Sequence, residues 1–272
     1  MMDKRTTEYK AAFFDIDGTL VSFKTHMVPE STRQAIETLR ANGVKCFIAS
    51  GRHMSNIDNL GSLEFDGYIT VNGGMTYLDG QLIDKNPINP EDVATVLNIM
   101  YGENINESTQ GIEPFAVSFV QRNGLVLNWE NEKTEQLFRQ LNFGKVPTQD
   151  DLRHLVGEDV FQMISFFGTE VEPRMMEVLP HCQSARWSPL FTDLVPKGQS
   201  KVRGIDIICN HMGIDVSQAM AFGDGGNDIE MLTHVGMGVA MGNAADEVKR
   251  EARMVCPSVD CDGIATAVAN IL

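Results

Sequence analysis

A chain of 272 residues, 43% hydrophobic and 22% charged, can bury one large core or two smaller ones and has the makeup of a globular protein. Its 37 acidic residues against 22 Lys and Arg leave a net charge of −15, which argues against a nucleic-acid partner, because a phosphate backbone needs a basic face. Five cysteines without CxxC spacing point to reduced thiols; with no apolar run near the ~20 residues of a membrane span and a polar N-terminus, a cytoplasmic protein making no membrane contact is expected.

In chain order, the first predicted element is a buried strand over Ala11–Asp15. It runs into Asp15-Ile16-Asp17-Gly18-Thr19-Leu20, where two carboxylates at i and i+2 start out on one face. Two such acids raise a pKa or cost stability unless a cation or proton intervenes. The plainer reading is a strand followed by an Asx-type turn at Asp17-Gly18. A helix over Pro29–Ala41 follows, with Pro in its first turn and Asn42-Gly43 closing it. A strand over Val44–Ala49 runs into Ser50-Gly51-Arg52, and another over Gly67–Val71 into Asn72-Gly73-Gly74. A hairpin is expected next, Met75–Leu78 against Gln81–Ile83, turning at Asp79-Gly80.

The texture changes over residues 85–187. Helices predicted at Glu91–Tyr101, Asn131–Leu141 and Glu170–Leu179 alternate with longer strands. Those are Phe115–Val120, paired with Leu125–Trp129 across Arg122-Asn123-Gly124, and Val160–Phe167, with Gly144–Asp151 read as a loop. Such a pattern predicts an α+β insert with its own antiparallel sheet. The βα rhythm is expected to return after Phe191, giving helices at Gln199–Met212, Asn227–His234, Ala244–Glu251 and Asp260–Leu272 and strands at Gln218–Phe222, Met237–Met241 and Arg253–Cys256. The chain therefore reads as an α/β protein: a parallel-sheet domain (1–84 plus 188–272) interrupted by a smaller α+β domain (85–187) that leaves and re-enters near the acidic residues.

A second acidic segment, Gly223-Asp224-Gly225-Gly226-Asn227-Asp228, again follows an apolar run. In an open parallel sheet, functional groups gather beyond the carboxyl ends of strands, so the fold could unite Asp15, Asp17, Asp224 and Asp228. Carboxylates without Cys or His describe a hard-cation site that favours Mg²⁺. Ser50 could hold a phosphate oxygen or merely cap a helix. Lys197 precedes a helix, where the macrodipole disfavours a cation, so its charge has either another use or only solvent; Asn72-Gly73-Gly74 could offer amides to an anion or form a plain turn. The set suits phosphoryl transfer, with Asp15 as nucleophile and Asp17 as general acid and base, and no Walker A loop argues for a kinase.

Taken in order, Asp15–Leu20, Ile48–Arg52, Pro196-Lys197-Gly198 and Gly223–Asp228 resemble the four motifs of the haloacid dehalogenase superfamily, and more closely its Cof-type (subfamily IIB) sugar phosphatases. The resemblance spans essentially the whole chain and implies a Rossmann-like core with an inserted α+β cap. It also implies Mg²⁺ held by Asp15, the backbone carbonyl of Asp17, and Asp224. Phosphate would be bound by Ser50 and Lys197, helped by Asn227, Gly51, Asn72 and Gly73, with Asp228 orienting Lys197 or a water beside the metal. The expected activity is hydrolysis of small phosphomonoesters, sugar phosphates first, through an aspartyl phosphate. The alternatives are a phosphomutase, which would need clustered basic cap residues where Arg122, Lys133, Arg139, Lys145, Arg153, Arg174 and Arg186 are scattered, and a catalytically idle phosphometabolite-binding regulator. An idle member would be expected to lack Asp15 or a metal ligand. Cap residues, which would set the substrate, are not transferable, and oligomeric state is unreadable.

Overall fold

The computed structural model describes residues 8–140, 146–186 and 188–272. In chain order the elements begin with β1 (Ala11–Phe14), α1 (Glu30–Ala41), β2 (Lys45–Ala49), β3 (Gly67–Thr70), β4 (Met75–Leu78) and β5 (Gln81–Lys85). Then come α2 (Pro90–Tyr101), β6 (Val117–Gln121), β7 (Gly124–Leu127), α3 (Glu132–Gln140), β8 (Val160–Ser165), α4 (Glu172–Val178), β9 (Cys182–Ala185) and β10 (Thr192–Pro196). The last are α5 (Lys201–Met212), β11 (Ala219–Gly223), α6 (Ile229–His234), β12 (Met237–Ala240), α7 (Asp246–Glu251), β13 (Met254–Val255) and α8 (Gly263–Ile271). By contacts the chain divides into two units, Met1–Lys85 with Ser200–Leu272, and Asn86–Gln199.

The first unit is built on an eight-stranded sheet in the order β13-β12-β11-β1-β2-β3-β4-β5, parallel as far as β3. The final two strands are antiparallel. β1 is buried along its whole length because both faces are covered, which is why it reads as a continuous apolar run and not an alternation. Ala12 and Phe14 face a core shared with Ile36 and Leu39 of α1 and Ile264 and Val268 of α8. Ala11 and Phe13 face the opposite core with Ile205 and Ile208 of α5 and Met231 and Leu232 of α6. The β4–β5 hairpin turns where expected, with Asp79 and Gly80 both at positive φ (49° and 75°), as a tight primed turn requires.

The second unit carries a five-stranded antiparallel sheet, β7-β6-β8-β10-β9. Its core joins Val93, Val96 and Leu97 of α2 to Val117, Phe119, Val160, Met163 and Leu194 of the sheet. Here the expected boundary is corrected. Thr192–Pro196 does not begin a βα unit of the parallel domain; it pairs antiparallel with β8 and β9, and the first unit resumes at Ser200. The expected helix end at Leu141, the loop start at Gly144 and the boundary at Trp187 lie outside the described residues. Among the described residues no helix is long and apolar enough to cross a membrane.

Candidate active site

Four neighbouring parallel strands deliver the site residues from their carboxyl ends. Asp15 follows β1, Ser50 follows β2, Val71-Asn72-Gly73 follow β3, and Asp224 follows β11. From β1 the chain passes to β2 on one side, while β11 lies on the other, so β1 marks the switch point where an open α/β sheet forms a crevice. Asp15 donates its N–H to the Phe222 carbonyl at 3.0 Å, extending the ladder one residue beyond β1 and fixing its backbone.

Lys201, the first residue of α5, is the organising charge. Its Nζ lies 2.6 Å from Asp15 Oδ1 and 2.6 Å from Asp228 Oδ1, and its side chain is 1% exposed. The second oxygen of the fully buried Asp228 accepts the N–H groups of Asp224 and Gly225, each at 2.9 Å. Asp228 thus ties the Asp224 loop to the ammonium. Burial pushes the Asp15 carboxyl up to about 8, against the pull of Lys201 and with added repulsion from Asp228 and Asp224. Burial alone would lower the Lys201 pKa, but its two carboxylate partners outweigh that and hold it protonated. The expected phosphate lysine is therefore corrected. Lys197 is an exposed residue at the end of β10 in the second unit, its backbone N–H bonded to the His181 carbonyl, and the ammonium against Asp15 belongs to Lys201.

Asp224 is held from two sides. Thr19 Oγ1 donates to its Oδ1 at 3.1 Å and Asn243 Nδ2 to its Oδ2 at 2.9 Å, while the same amide reaches the Gly18 carbonyl. Gly18, at φ 81°, allows this approach: a Cβ there would stand 2.2 Å from Asp224 Oδ2. Burial raises the Asp224 carboxyl to about 6, with Asp228 adding repulsion. Oxygens of Asp15, Asp224 and Asp228 all lie within 4.8 Å of one another. Two acids, Asp15 buried and Asp224 partly buried, pushed up by desolvation and by repulsion from neighbouring carboxylates, with oxygen as the donor atom, fit a hard divalent cation, which would relieve both penalties.

Asp15 and Asp17 do not share an environment. The strand stops at Phe14, and the Asp17 side chain is 43% exposed. Both its oxygens accept from Arg52, Nε to Oδ2 at 2.8 Å and Nη2 to Oδ1 at 2.6 Å. Ser50 is buried and its Oγ accepts the Arg52 N–H at 3.1 Å, while its carbonyl accepts the Asn72 N–H at 3.0 Å. Asn72 Oδ1 accepts from Asn227 Nδ2 at 3.0 Å, joining the β3 and β11 loops, and Gly51 lies directly against the Asn72 amide.

Sequence reasoning overlooked four residues that the geometry brings in: Thr19, Arg52, Asn243 and Lys201. Lys201 carried a usable signal. It heads the stripe Lys201-Ile205-Ile208 on the buried face of α5, a place where a lysine is unexpected unless it has an anionic partner. Asn243 stands in a loop with no pattern to mark it, and its role emerges only from the fold.

An open, mostly parallel sheet with a lysine-bound carboxylate at the end of its central strand and a second acid beside it places these groups where α/β enzymes carry their active sites. A family model of haloacid dehalogenase-like hydrolases matches residues 12–268. The chain is 32% identical over 272 residues to "Putative phosphatase YkrA" of Bacillus subtilis (strain 168), covering 96% of this chain and 97% of that one. It is 29% identical over 251 residues to the HMP-PP phosphatase of Escherichia coli O6:H1, with 89% and 87% covered. The solved structure of the HAD subclass IIB sugar phosphatase BT4131 superposes with a TM-score of 0.83 at 38% identity, covering 97% of this chain and 100% of that one. The chain belongs to the haloacid dehalogenase-like hydrolases, in the Cof-type IIB group of phosphatases.

Proposed function

We propose that this protein is a Mg²⁺-dependent phosphatase that hydrolyses small soluble phosphomonoesters, sugar phosphates first, through an aspartyl phosphate on Asp15. The observation that carries the reading is the buried Asp15–Lys201–Asp228 chain at the carboxyl end of β1. A carboxylate fixed by one oxygen to a protonated lysine keeps its other oxygen for attack on phosphorus. Asp15 forms the bond to phosphorus as the ester oxygen departs, and Asp17 supplies the proton that oxygen needs. Asp17 then takes a proton from the water that hydrolyses the intermediate. Lys201, Ser50 and the Gly51, Asn72, Gly73 and Asn227 segments would bind the phosphoryl oxygens, with Asp228 positioning Lys201. Asp15, Asp224 and the Asp17 carbonyl would hold Mg²⁺, which when bound supplies positive charge against the anionic phosphoryl group.

A mutase needs free basic groups to retain a bisphosphate. In the insert Arg153 is paired with Glu103 and Asp151, Arg186 with Glu172, and Arg174 with the Ser108 and Gln110 carbonyls, which favours a hydrolase. The test is phosphate release across a panel of hexose, pentose, nucleotide, glycerol and pyridoxal phosphates with and without Mg²⁺. The expected result is Mg²⁺-dependent turnover led by a sugar phosphate and abolished in Asp15→Asn while substrate still binds. Retained turnover in Asp15→Asn would remove the nucleophile assignment, and a non-sugar ester as the best substrate would remove the sugar assignment.

A further inference from the structure

Asp17 is exposed enough to rotate freely, yet it is gripped at both oxygens by one guanidinium. That guanidinium is itself anchored. Arg52 Nη1 donates to the Asn56 carbonyl at 2.9 Å and to Asn59 Oδ1 at 3.2 Å. Its backbone is pinned on both sides, the N–H to Ser50 Oγ at 3.1 Å and the carbonyl to the Val71 N–H at 3.0 Å. A planar fork fixed at its far nitrogen and along its backbone is a rigid template, so it sets the plane in which the Asp17 carboxyl lies.

We propose that Arg52 is the positioning residue for Asp17, holding its carboxyl group in one orientation for proton exchange. The inference rests on the phosphatase reading above. A carboxylate offers about four lone-pair positions, and the fork occupies one on each oxygen. The remaining lone pair on either oxygen faces away from the fork and is left open for proton exchange. In the first half-reaction Asp15 bonds to phosphorus, the ester P–O bond breaks, and the Asp17 proton passes to the departing oxygen to give a neutral alcohol. In the second, Asp17 accepts a proton from water as water attacks the phosphoryl group and Asp15 is released. Anchoring through Ser50 also links this orientation to the loop proposed to bind phosphate. A lone carboxyl on a half-exposed turn would sample several rotamers, and each misplaced one forfeits proton transfer.

The readout is dependence on leaving group. An alkyl phosphate such as a hexose 6-phosphate leaves as a poor alkoxide and needs the proton, whereas p-nitrophenolate leaves without it. Arg52→Ala is expected to lower kcat/KM for the alkyl ester by ~100-fold, within the usual range of general acid catalysis, and for p-nitrophenyl phosphate by less than ~5-fold. Because dephosphorylation also uses Asp17, kcat for p-nitrophenyl phosphate should fall while its kcat/KM is held. Arg52→Lys keeps the charge but loses the fork, and Asn59→Ala loosens it; both should show the same selective loss at smaller size, so the proposal stays testable if Arg52→Ala folds poorly. Equal losses on the two esters would overturn it in favour of direct phosphate binding, and no loss on either would reduce the pair to a surface ion pair. Wild-type protein that releases phosphate from neither ester with Mg²⁺ would instead overturn the phosphatase reading, and the proposal with it.

Discussion

A buried ammonium between two buried carboxylates cannot lose one member without stranding the others. Lys201→Met leaves Asp15 and Asp228 without their shared counter-charge, and breaking a buried pair this way costs ~3–5 kcal/mol. Urea unfolding at neutral pH should show that loss, with turnover reduced by at least ~100-fold because a charge aimed at the phosphoryl oxygens is gone. Lys197→Met is the control. That side chain is exposed, and the variant should match wild type in both measurements. If instead Lys197→Met lost turnover while Lys201→Met kept it, the assignment of the site lysine would be reversed. At this scale the sequence pointed to Asp15, Asp224 and Asp228, which the fold brings together, because each lies at or just past the end of an apolar strand, whereas Asp17, expected on the same face as Asp15, turns to Arg52 instead. The lysine was misread for a physical reason. Lys197 sits in the Pro-Lys-Gly turn that ends β10, and such turns place lysines in solvent, whereas Lys201 begins the apolar stripe of a helix.

Among the described elements, the turn after β3 holds three consecutive residues in the left-handed region. Val71, Asn72 and Gly73 all have positive φ, at 52°, 50° and 90°, and a β-branched residue in that region is a genuine outlier. At Gly73 a Cβ would stand 2.2 Å from the Ser200 carbonyl oxygen, one residue before Lys201. Gly73→Ala therefore cannot be absorbed by a side-chain rotation: either the turn or the start of α5 shifts. We expect a loss of at least ~1–3 kcal/mol in urea unfolding, the cost of a strained backbone conformation, together with reduced turnover as Lys201 is displaced. Stability and turnover both unchanged would mean that the turn is not tied to α5. Strand and helix assignments were legible where burial left a clear signature: the continuous apolar run of β1, the helical period of α1 and the Asp-Gly turn of the β4–β5 hairpin. They failed at β9 and β10. Cys182–Ala185 is too short and too polar to announce a strand, and Thr192–Pro196 carries an acid and ends in proline, so its pairing with β8 depends on a partner thirty residues away.

For the molecule as a whole, stability, pH and cation binding are linked through the same acids. Burial pushes Asp15 up to about 8 and Asp224 up to about 6, both above the ordinary aspartate value near ~3.9. The folded state therefore binds more protons than the unfolded chain across that window, so the stability these two groups contribute falls as pH rises from about 4 through 6 to 8. Asp66 works in the opposite sense. Burial would raise it, but hydrogen bonds from Lys45 and the Cys46 amide, with the charge of Arg40, hold it low, so its contribution is present above ~4 and lost only in acid. A divalent cation favours the ionised forms of Asp15 and Asp224, and its binding should therefore release protons and stabilise more strongly as pH rises. The Tm increase given by millimolar Mg²⁺ should be larger at pH 8 than at pH 5, and Asp224→Asn should remove most of it. A net charge of −15 makes general screening a competing explanation, so the comparison is made at ionic strength matched with NaCl. A shift of equal size at both pH values, or one that survives Asp224→Asn, would place the cation on the acidic surface and not among these carboxylates.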